Sequence, residues 1–285
     1  MTLLKLLRKS ALPVAHVAHH PGQPTLEVRD LAVRYDQIVA LAGITFALNP
    51  GERIAVVGPN GAGKSTLFKA IAGIQPYSAG EVKIYGHEPG GHICIAYLPQ
   101  RSQVDWNFPA SVADVVMMGR ISKLGILRWP KASDWEFVHR CLEVVGLLGL
   151  EKRQIGELSG GQQQRMFIAR ALAQEAELML MDEPFTGLDV PSQEDILGIL
   201  EQLRPREVTV LASTHDLSLA SEHFDRVLLL NRRQLGFGPG SEIFTTARLL
   251  EAYGGHLRLV ENGAQVLAVG DTCCEDEGDA HERLA

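Results

Sequence analysis

The segment that most constrains this chain is GPNGAGKST at residues 58–66. It follows an apolar run at 53–57 and precedes a helical pattern at 67–72, so the order is strand, glycine-rich turn and helix. With the spacing G-x-x-x-x-G-K-[ST], this arrangement predicts a phosphate-binding loop. The alternative is a plain glycine-rich turn with a surface lysine, and the flanking strand and helix disfavour it.

The residue types in this loop suit a nucleotide. Its glycines permit backbone angles closed to other residues, and they leave no side chain between the amide groups and a ligand. The N–H groups and the positive end of the following helix then converge on the phosphates. Lys64 would reach the β- and γ-phosphates, and the Ser65 hydroxyl would hold Mg²⁺. The predicted nucleotide-binding residues of the loop are Gly58, Pro59, Asn60, Gly61, Ala62, Gly63, Lys64, Ser65 and Thr66.

Composition narrows the class of protein. The 285 residues are 46% hydrophobic and 21% charged, which fits a globular chain with one large domain or two small ones. The 34 acidic residues outnumber the 27 basic ones, which argues against a general nucleic-acid binder. The four cysteines show no spaced framework, so a reducing compartment is expected. No apolar run approaches the roughly 18–20 residues that span a bilayer, and no signal peptide is predicted, so a membrane role would need a partner.

The two ends of the chain have compositions typical of solvated segments. Residues 1–25, which contain three histidines, predict a flexible N-terminal extension, and residues 271–285 predict an acidic flexible tail. Metal binding at either end, or a membrane-surface contact at the first, is the alternative. Between the main domain and the tail, residues 251–270 are predicted to form a β-hairpin around Asn262-Gly263.

Short alternating segments precede the loop strand, at 26–29, 31–35 and 44–48. They predict a small antiparallel sheet that leads into that strand. Tyr35 lies at the edge of the sheet, where its ring would stack on an adenine base. Packing within the sheet is the alternative for this tyrosine.

Residues 101–165 place apolar residues at three- and four-residue spacing, which predicts an inserted helical subdomain. The predicted helices are 114–118 and 134–150, with Asp114 and Asp134 at their starts. The surplus of apolar side chains is either core or a docking face, and its members are Trp106, Phe108, Met117, Met118 and Trp129.

A second glycine-rich helix start has the sequence LSGGQ at 158–162. Ser159 is a suitable N-cap, and glycines beside a helix N-terminus make a second anion site. Either the chain binds two anions, or each nucleotide is shared between two copies of the chain; a merely capped helix is the remaining alternative. The predicted contacts are Ser159, Gly160, Gly161 and Gln162.

Acidic and polar residues follow several predicted strands. Asp182 and Glu183 come directly after the buried run 178–181, and the carboxyl ends of parallel strands are where α/β sheets place ligand chemistry. Asp182 would hold Mg²⁺ through its water shell, and Glu183 would orient or deprotonate an attacking water. Gln100 would bond a metal-bound water and His215 would contact a γ-phosphate. A solvated strand end is the alternative for the two acids, an ordinary loop residue for Gln100 and a structural histidine for His215.

The ordered set of motifs resembles the ATP-binding subunit of ABC transporters over residues 26–250. Residues 58–66 look like its Walker A motif, 158–162 like its signature motif, and 178–183 like Walker B with the catalytic glutamate. The remaining matches are Gln100 to the Q-loop, Asp189 to the D-loop, His215 to the switch histidine and Tyr35 to the adenine-stacking position. The resemblance implies an α/β fold of the P-loop NTPase (RecA-like) type: a parallel-sheet core, a small antiparallel β subdomain and an inserted α-helical subdomain.

The resemblance also implies an ATPase that uses ATP and Mg²⁺. Two subunits would meet head to tail, with ATP between residues 58–66 of one and 159–161 of the other, as an ATP-dependent homodimer. Glu183, Lys64, His215 and Gln100 would be the catalytic residues, with Ser65, Gln100 and Asp182 holding the metal ion. The Asp189 loop would belong to the same nucleotide site.

A finer resemblance concerns the substrate. Residues 98–120 and 252–255 are similar to manganese- and zinc-type metal importers. This resemblance implies a two-copy assembly with integral-membrane permease subunits at the cytoplasmic face of the cell membrane. It also implies an extracytoplasmic metal-binding protein as an indirect partner, and no nucleic acid.

Three other functions remain open. The first is a DNA-repair or chromosome-structure ATPase, but the stretch between Lys64 and Ser159 contains no sustained heptads for the long coiled coil of those proteins. The second is a non-hydrolytic regulator or metal-storage module that uses the histidines and cysteines at the two ends. The third is an importer for iron chelates, haem or vitamin B12, whose ATPases share all these motifs.

Overall fold

The computed structural model describes residues 22–89, 94–124 and 129–254, and the backbone of 258–262 and 265–269. Its strands are β1 (Leu26–Tyr35), β2 (Ile38–Leu48), β3 (Arg53–Val57), β4 (Ala79–Ile84), β5 (Ile95–Leu98), β6 (Leu178–Met181), β7 (Thr209–Thr214), β8 (Arg226–Asn231), β9 (Arg233–Gly238), β10 (Arg258–Asn262) and β11 (Gln265–Val269). Its helices are α1 (Lys64–Ile71), α2 (Val112–Met118), α3 (Ile121–Leu124), α4 (Ala132–Val144), α5 (Gly160–Gln174), α6 (Val190–Leu203), α7 (Leu217–His223), α8 (Gly240–Ile243) and α9 (Thr246–Tyr253). None of the helices in the described ranges combines the length and the apolar character needed to cross a bilayer.

One mixed sheet organises the molecule, with the strand order β4-β1-β2-β9-β8-β3-β7-β6-β5. Strands β8, β3, β7, β6 and β5 run parallel to one another, whereas β1 pairs antiparallel with β2 and β4. Strand β9 joins the two parts, because it runs antiparallel to β8 and meets β2 through the single pair Ala42–Arg233. The predicted P-loop NTPase fold is confirmed, and the antiparallel part continues the core sheet.

Both faces of the parallel strands are buried. Along β3, Ile54 and Val56 pack on the face that carries α1, while Ala55 and Val57 pack on the face that carries α2, α4, α5 and α6. Strands covered on both sides read as continuous apolar runs, which explains why β3 and β6 are recognisable in the sequence. The glycine-rich loop therefore follows a strand that is packed on both faces, and it lies at the edge of the sheet where the parallel strands end.

The antiparallel part differs from the prediction in its boundaries. The predicted segments 26–29 and 31–35 are one ten-residue strand, in which Asp30 has a φ of 46° and the pairing register shifts. This irregularity interrupts the alternation of apolar and polar residues, so the sequence pattern predicts two strands where the structure has one. Thr25 is fully buried and donates to the Tyr85 hydroxyl at 3.3 Å, so ordered packing begins inside the segment predicted as a flexible extension.

The helical segment contains α2, α3 and α4, and its helices start earlier than predicted. Asp114 and Asp134 are third residues of their helices, where their carboxylates accept from the backbone N–H groups of Ser111 (3.0 Å) and Lys131 (2.9 Å). Helix α4 ends at Val144, six residues before the predicted end. Its end is set by Gly146, whose φ of 67° does not continue a helix.

The two ends of the chain lie mostly outside the described residues. This holds for the predicted extension up to residue 21 and for the whole predicted tail. Within the predicted hairpin, the β10 and β11 backbones pair antiparallel, with Asn262 opposite Gln265. The turn at Gly263 is outside the described residues.

Candidate active site

The glycine-rich loop turns from β3 into α1, and its glycines are required for two different reasons. Gly61 (φ 76°) and Gly63 (φ 96°) adopt left-handed backbone angles that other residues rarely adopt. Gly58 does not: a Cβ there would lie 2.0 Å from the Leu230 carbonyl oxygen of β8, so close approach excludes a side chain. The backbone-angle explanation predicted for Gly58 is therefore wrong.

Lys64 carries the positive charge of the loop. Its side chain is buried, and Nζ donates to the carbonyl oxygens of Gly58 at 2.7 Å and Pro59 at 3.1 Å. The helix that Lys64 begins has Gly63 at its N-cap, so no side-chain oxygen caps its first turn. Ammonium and amides together make an anion-binding surface.

A cavity of about 560 Å³ opens in front of this loop. Its walls are the loop residues Asn60–Thr66, the start of β2 at Ile38–Ala40, and the residues Gln100, Glu183 and Arg232. This volume lies in the range of pockets that enclose a small-molecule ligand. The structure thus brings the predicted loop, Gln100 and Glu183 to one cavity.

Asp182 is held in the core at the end of β6. Its residue is 2% exposed, Oδ1 accepts from the Ser213 hydroxyl at 2.8 Å, and Oδ2 accepts from the Tyr97 hydroxyl at 3.4 Å. Burial and the Asp182 carboxylate raise the pKa of Tyr97 well above its ordinary value, so this hydroxyl keeps its proton and can donate. Neighbouring strands β5 and β7 therefore orient the carboxylate.

Glu183 faces the cavity from a strained backbone. Its φ of 50° lies in the left-handed region, and its N–H donates to the Ser213 hydroxyl at 2.8 Å. The carboxylate oxygen Oε2 accepts from Gln100 Nε2 at 2.9 Å and from the Thr186 hydroxyl at 3.3 Å. Strain of this kind persists only where surrounding contacts impose it, and it is frequent at functional sites. The sequence does not single out Ser213 and Tyr97, because they meet the acidic pair only across neighbouring strands, and no motif marks Thr186, three residues after Glu183.

Gly58, Pro59 and Asp182 do not line the cavity. Neither do three further predicted site residues. Tyr35, at the end of β1, is 41% exposed, and the following residues Ile38–Ala40 form the wall instead. His215 is exposed just after β7, and Asp189 is the N-cap residue of α6. Tyr35, Asp189 and His215 all lie at or next to the end of a strand or helix.

The second glycine-rich helix start also lies outside the cavity. The Ser159 hydroxyl accepts from the Gln162 N–H at 3.3 Å, and Gln162 Oε1 accepts from the Ser159 N–H at 3.0 Å, so the predicted N-cap is confirmed. A Cβ on Gly160 would lie 2.9 Å from Nη1 of Arg101, whose Nε donates to Gln163 Oε1 at 2.7 Å. Within one chain, this helix start is therefore separate from the phosphate-loop cavity.

Arg232 lines the cavity, and no sequence pattern marks it, because only the pairing of β8 with β3 brings residue 232 beside the loop.

Across the described residues, no group of three or more His, Cys, Asp or Glu side chains could hold a metal ion. The predicted metal-binding alternatives at the two ends fall outside those residues.

Comparison with known families gives a consistent result. Residues 41–186 match the family described as ABC transporter. A manganese transport system ATP-binding protein, MntB of Halalkalibacterium halodurans, is 45% identical over 86% of this chain and 98% of its own length. A zinc transport system ATP-binding protein, TroB of Treponema pallidum, is 44% identical over 81% of this chain and 88% of its own.

One further relative and one solved structure are also similar to this chain. YfeB of Yersinia pestis, named as a chelated iron transport system membrane protein, is 46% identical over 83% of this chain and 81% of its own length. A solved structure assigned to the metal-chelate type of ABC transporter, in an inward-facing conformation, has a TM-score of 0.74 and 31% identity. It covers 86% of this chain and 96% of that one.

Proposed function

This chain belongs to the ABC transporter family, and from that premise we propose that it energises the import of a divalent metal ion, manganese or zinc. It is an ATP-hydrolysing transporter subunit. The observation that supports manganese or zinc as the transported ion is the similarity to manganese and zinc transport subunits, at 44–45% identity over more than four fifths of the chain. An ATPase subunit need not touch the transported ion, so its own residues give no independent identification.

The phosphate chain of ATP would lie against the loop at 58–66. The α1 amides and Lys64 supply the positive potential there, and the Lys64 ammonium is already within 3.1 Å of two loop carbonyls. The base would lie toward Ile38–Ala40, with the half-exposed Tyr35 available for stacking.

A magnesium ion fits the donor chemistry near this loop. Ser65 and Gln100 line the cavity and offer oxygen atoms, which Mg²⁺ prefers. Both Asp182 oxygens already accept hydrogen bonds, so this carboxylate would act through a water molecule of the ion's shell. When bound, the ion neutralises charge on the β- and γ-phosphates.

Glu183 is the group we assign to the attacking water. Its carboxylate faces the cavity and is oriented by Gln100 and Thr186, so it can accept a proton from a water beside the γ-phosphate. The Gln100 amide would have to release Glu183, at least in part, to reach the metal ion's water. We place His215, at the end of the adjacent strand, as a donor to the γ-phosphate.

The signature residues Ser159–Gln162 would complete the site of a second copy. Their separation from the cavity within one chain supports sharing of each ATP between two chains, with Asp189 near the junction. Because ATP would bind the closed pair better than the open one, nucleotide would favour closure and hydrolysis would release it.

A permease would hold the chain at the cytoplasmic face of the membrane. The helical segment exposes large apolar side chains: 90% of Trp129, 54% of Phe108, 53% of Ile121 and 42% of Met118 are exposed. Exposed apolar side chains of this kind fit a protein partner, and a separate metal-binding protein would deliver the ion outside. The negative net charge gives no support for nucleic acid as a partner.

Import of chelated iron is the second candidate, favoured by the 46% identity to YfeB. The experiment that separates the candidates is uptake of labelled Mn²⁺, Zn²⁺ and Fe²⁺ by cells that carry only Glu183→Gln. The matched control is Glu222→Gln, since Glu222 is exposed and does not line the cavity. We expect Glu183→Gln to abolish uptake of manganese or zinc and the control to retain it. Normal uptake of both ions by Glu183→Gln cells would refute the proposal, and loss of iron uptake alone would favour the second candidate.

A further inference from the structure

The nucleotide cavity contains an arginine to which no motif assigns a role. Arg232 occupies the turn between β8 and β9 and lines the cavity. Its N–H donates to the Ala62 carbonyl at 2.8 Å, and its carbonyl accepts from the Ala42 N–H at 2.8 Å. The backbone of Arg232 is therefore hydrogen-bonded both to the phosphate loop and to β2, and each of these contributes a wall of the cavity.

The backbone conformation makes an arginine here unexpected. The φ of Arg232 is 55°, in the left-handed region that favours glycine or asparagine. A non-glycine residue in this conformation is sterically disfavoured, so an observed outlier at a ligand site suggests a function for its side chain.

The neighbouring arginine differs. Arg233 pairs with Glu251 at 2.5 Å and does not line the cavity. Among the described residues, by contrast, none of the ion pairs involves Arg232. The side chain is exposed, so its charge is available to a ligand in the cavity.

We propose that Arg232 binds the phosphate chain of the nucleotide, as a second cation opposite Lys64. A guanidinium presents paired N–H donors that match phosphate oxygens, and such charge-assisted bonds are stronger than neutral ones. The cavity also contains the Glu183 carboxylate, which disfavours an anionic ligand, and Arg232 offsets that charge. This proposal rests on ATP binding by the family and is independent of which ion is transported.

The test compares Arg232→Ala with the matched control Arg233→Ala, by titration of the purified full chain with ATP, ADP and adenosine. Arg232→Ala should weaken ATP and ADP binding about 5- to 30-fold and leave adenosine binding unchanged. Arg233→Ala should stay within about twofold for all three ligands, because an exposed ion pair contributes little. Arg232→Lys should retain part of the affinity, since the charge remains without the paired donors.

A further variant separates binding from folding. Arg232→Gly removes the side chain and suits the left-handed backbone, so this protein should melt no lower than the unmodified chain and still bind ATP weakly. Unchanged ATP affinity in Arg232→Gly would overturn the proposal. An equal loss for adenosine would also overturn it, because the contact would then be to the base or ribose.

Discussion

Two glycine-rich helix starts in this chain look alike in sequence and differ in their surroundings. The α1 start at Lys64 faces a cavity that also contains Gln100, Glu183 and Arg232. The α5 start at Gly160 lies outside that cavity and packs against Arg101 and Leu188. Both offer backbone N–H groups to an anion, but only the first has the Glu183 carboxylate and two cations beside it.

This difference supports our proposal that one chain makes half of each ATP site. The α1 half would bind nucleotide by itself, and the α5 half would add contacts only when a second copy approaches. Substitutions in the two halves should then affect different steps. The phosphate loop of the α1 half should govern affinity and hydrolysis together, whereas the acidic residues beside it and the α5 half should govern hydrolysis alone.

The largest effect is expected from Lys64→Ala. Loss of the ammonium from beneath the loop should weaken ATP binding about 100-fold and lower hydrolysis about 1000-fold, since charge on the phosphates is no longer offset. Nucleotide titration and phosphate release measure the two quantities. Lys69→Ala, on the same helix but away from the cavity, is the control. Near-normal ATP affinity in Lys64→Ala would remove Lys64 from its assigned role.

A smaller and more selective effect is expected from Gly160→Asp. The new carboxylate would place negative charge at the α5 start and crowd Arg101, so hydrolysis should fall about 100-fold while ATP affinity stays within about twofold. Gly198→Asp is the matched control, because a Cβ on Gly198 meets no atom within 4 Å. If Gly160→Asp weakened ATP binding as much as Lys64→Ala does, the two halves would not be separable.

The smallest effect is expected from Ser213→Ala, on the α1 side. The Ser213 hydroxyl donates to Asp182 and accepts from the Glu183 N–H, so its removal leaves a buried carboxylate short of one donor. We expect about a 10-fold slower hydrolysis and a loss of about 1–3 kcal/mol in unfolding free energy, with ATP affinity unchanged. Steady-state kinetics and denaturant unfolding test this, with the exposed Ser218→Ala as control. An unaltered rate would mean that Ser213 does not orient the acidic pair.

The sequence predicts the parts of the fold whose pattern is local. Strands β3 and β6 are continuous apolar runs, because helices cover both faces of the sheet, and the Ser159 cap is a short-range hydrogen-bond pattern. Strand β9 was missed, since its sequence RQLGFG has two glycines and little alternation. Its position between β2 and β8 is what makes one sheet out of two predicted parts.

The residues of the candidate site likewise fall into those that the sequence predicts and those that only the fold brings together. Lys64, Glu183 and Gln100 are recognisable from motif spacing, and the structure brings them to one cavity. Ser213 lies on β7 and Arg232 in the turn after β8, and both reach the site only because these strands pair with β6 and β3 in the fold, so no sequence pattern singles them out. Separation of the two glycine-rich helix starts is likewise a property of the folded chain, because both have the same local chemistry.

The most direct test of shared ATP sites is the mass of the Glu183→Gln protein in solution, with and without ATP and Mg²⁺, by light scattering. We expect ATP to convert this slowly hydrolysing variant from monomer to dimer. We also expect Glu183→Gln combined with Gly160→Asp to stay monomeric while it binds ATP with unchanged affinity. A Glu183→Gln chain that remains monomeric when saturated with ATP, or a double variant that dimerises equally well, would show that ATP is not shared between two chains.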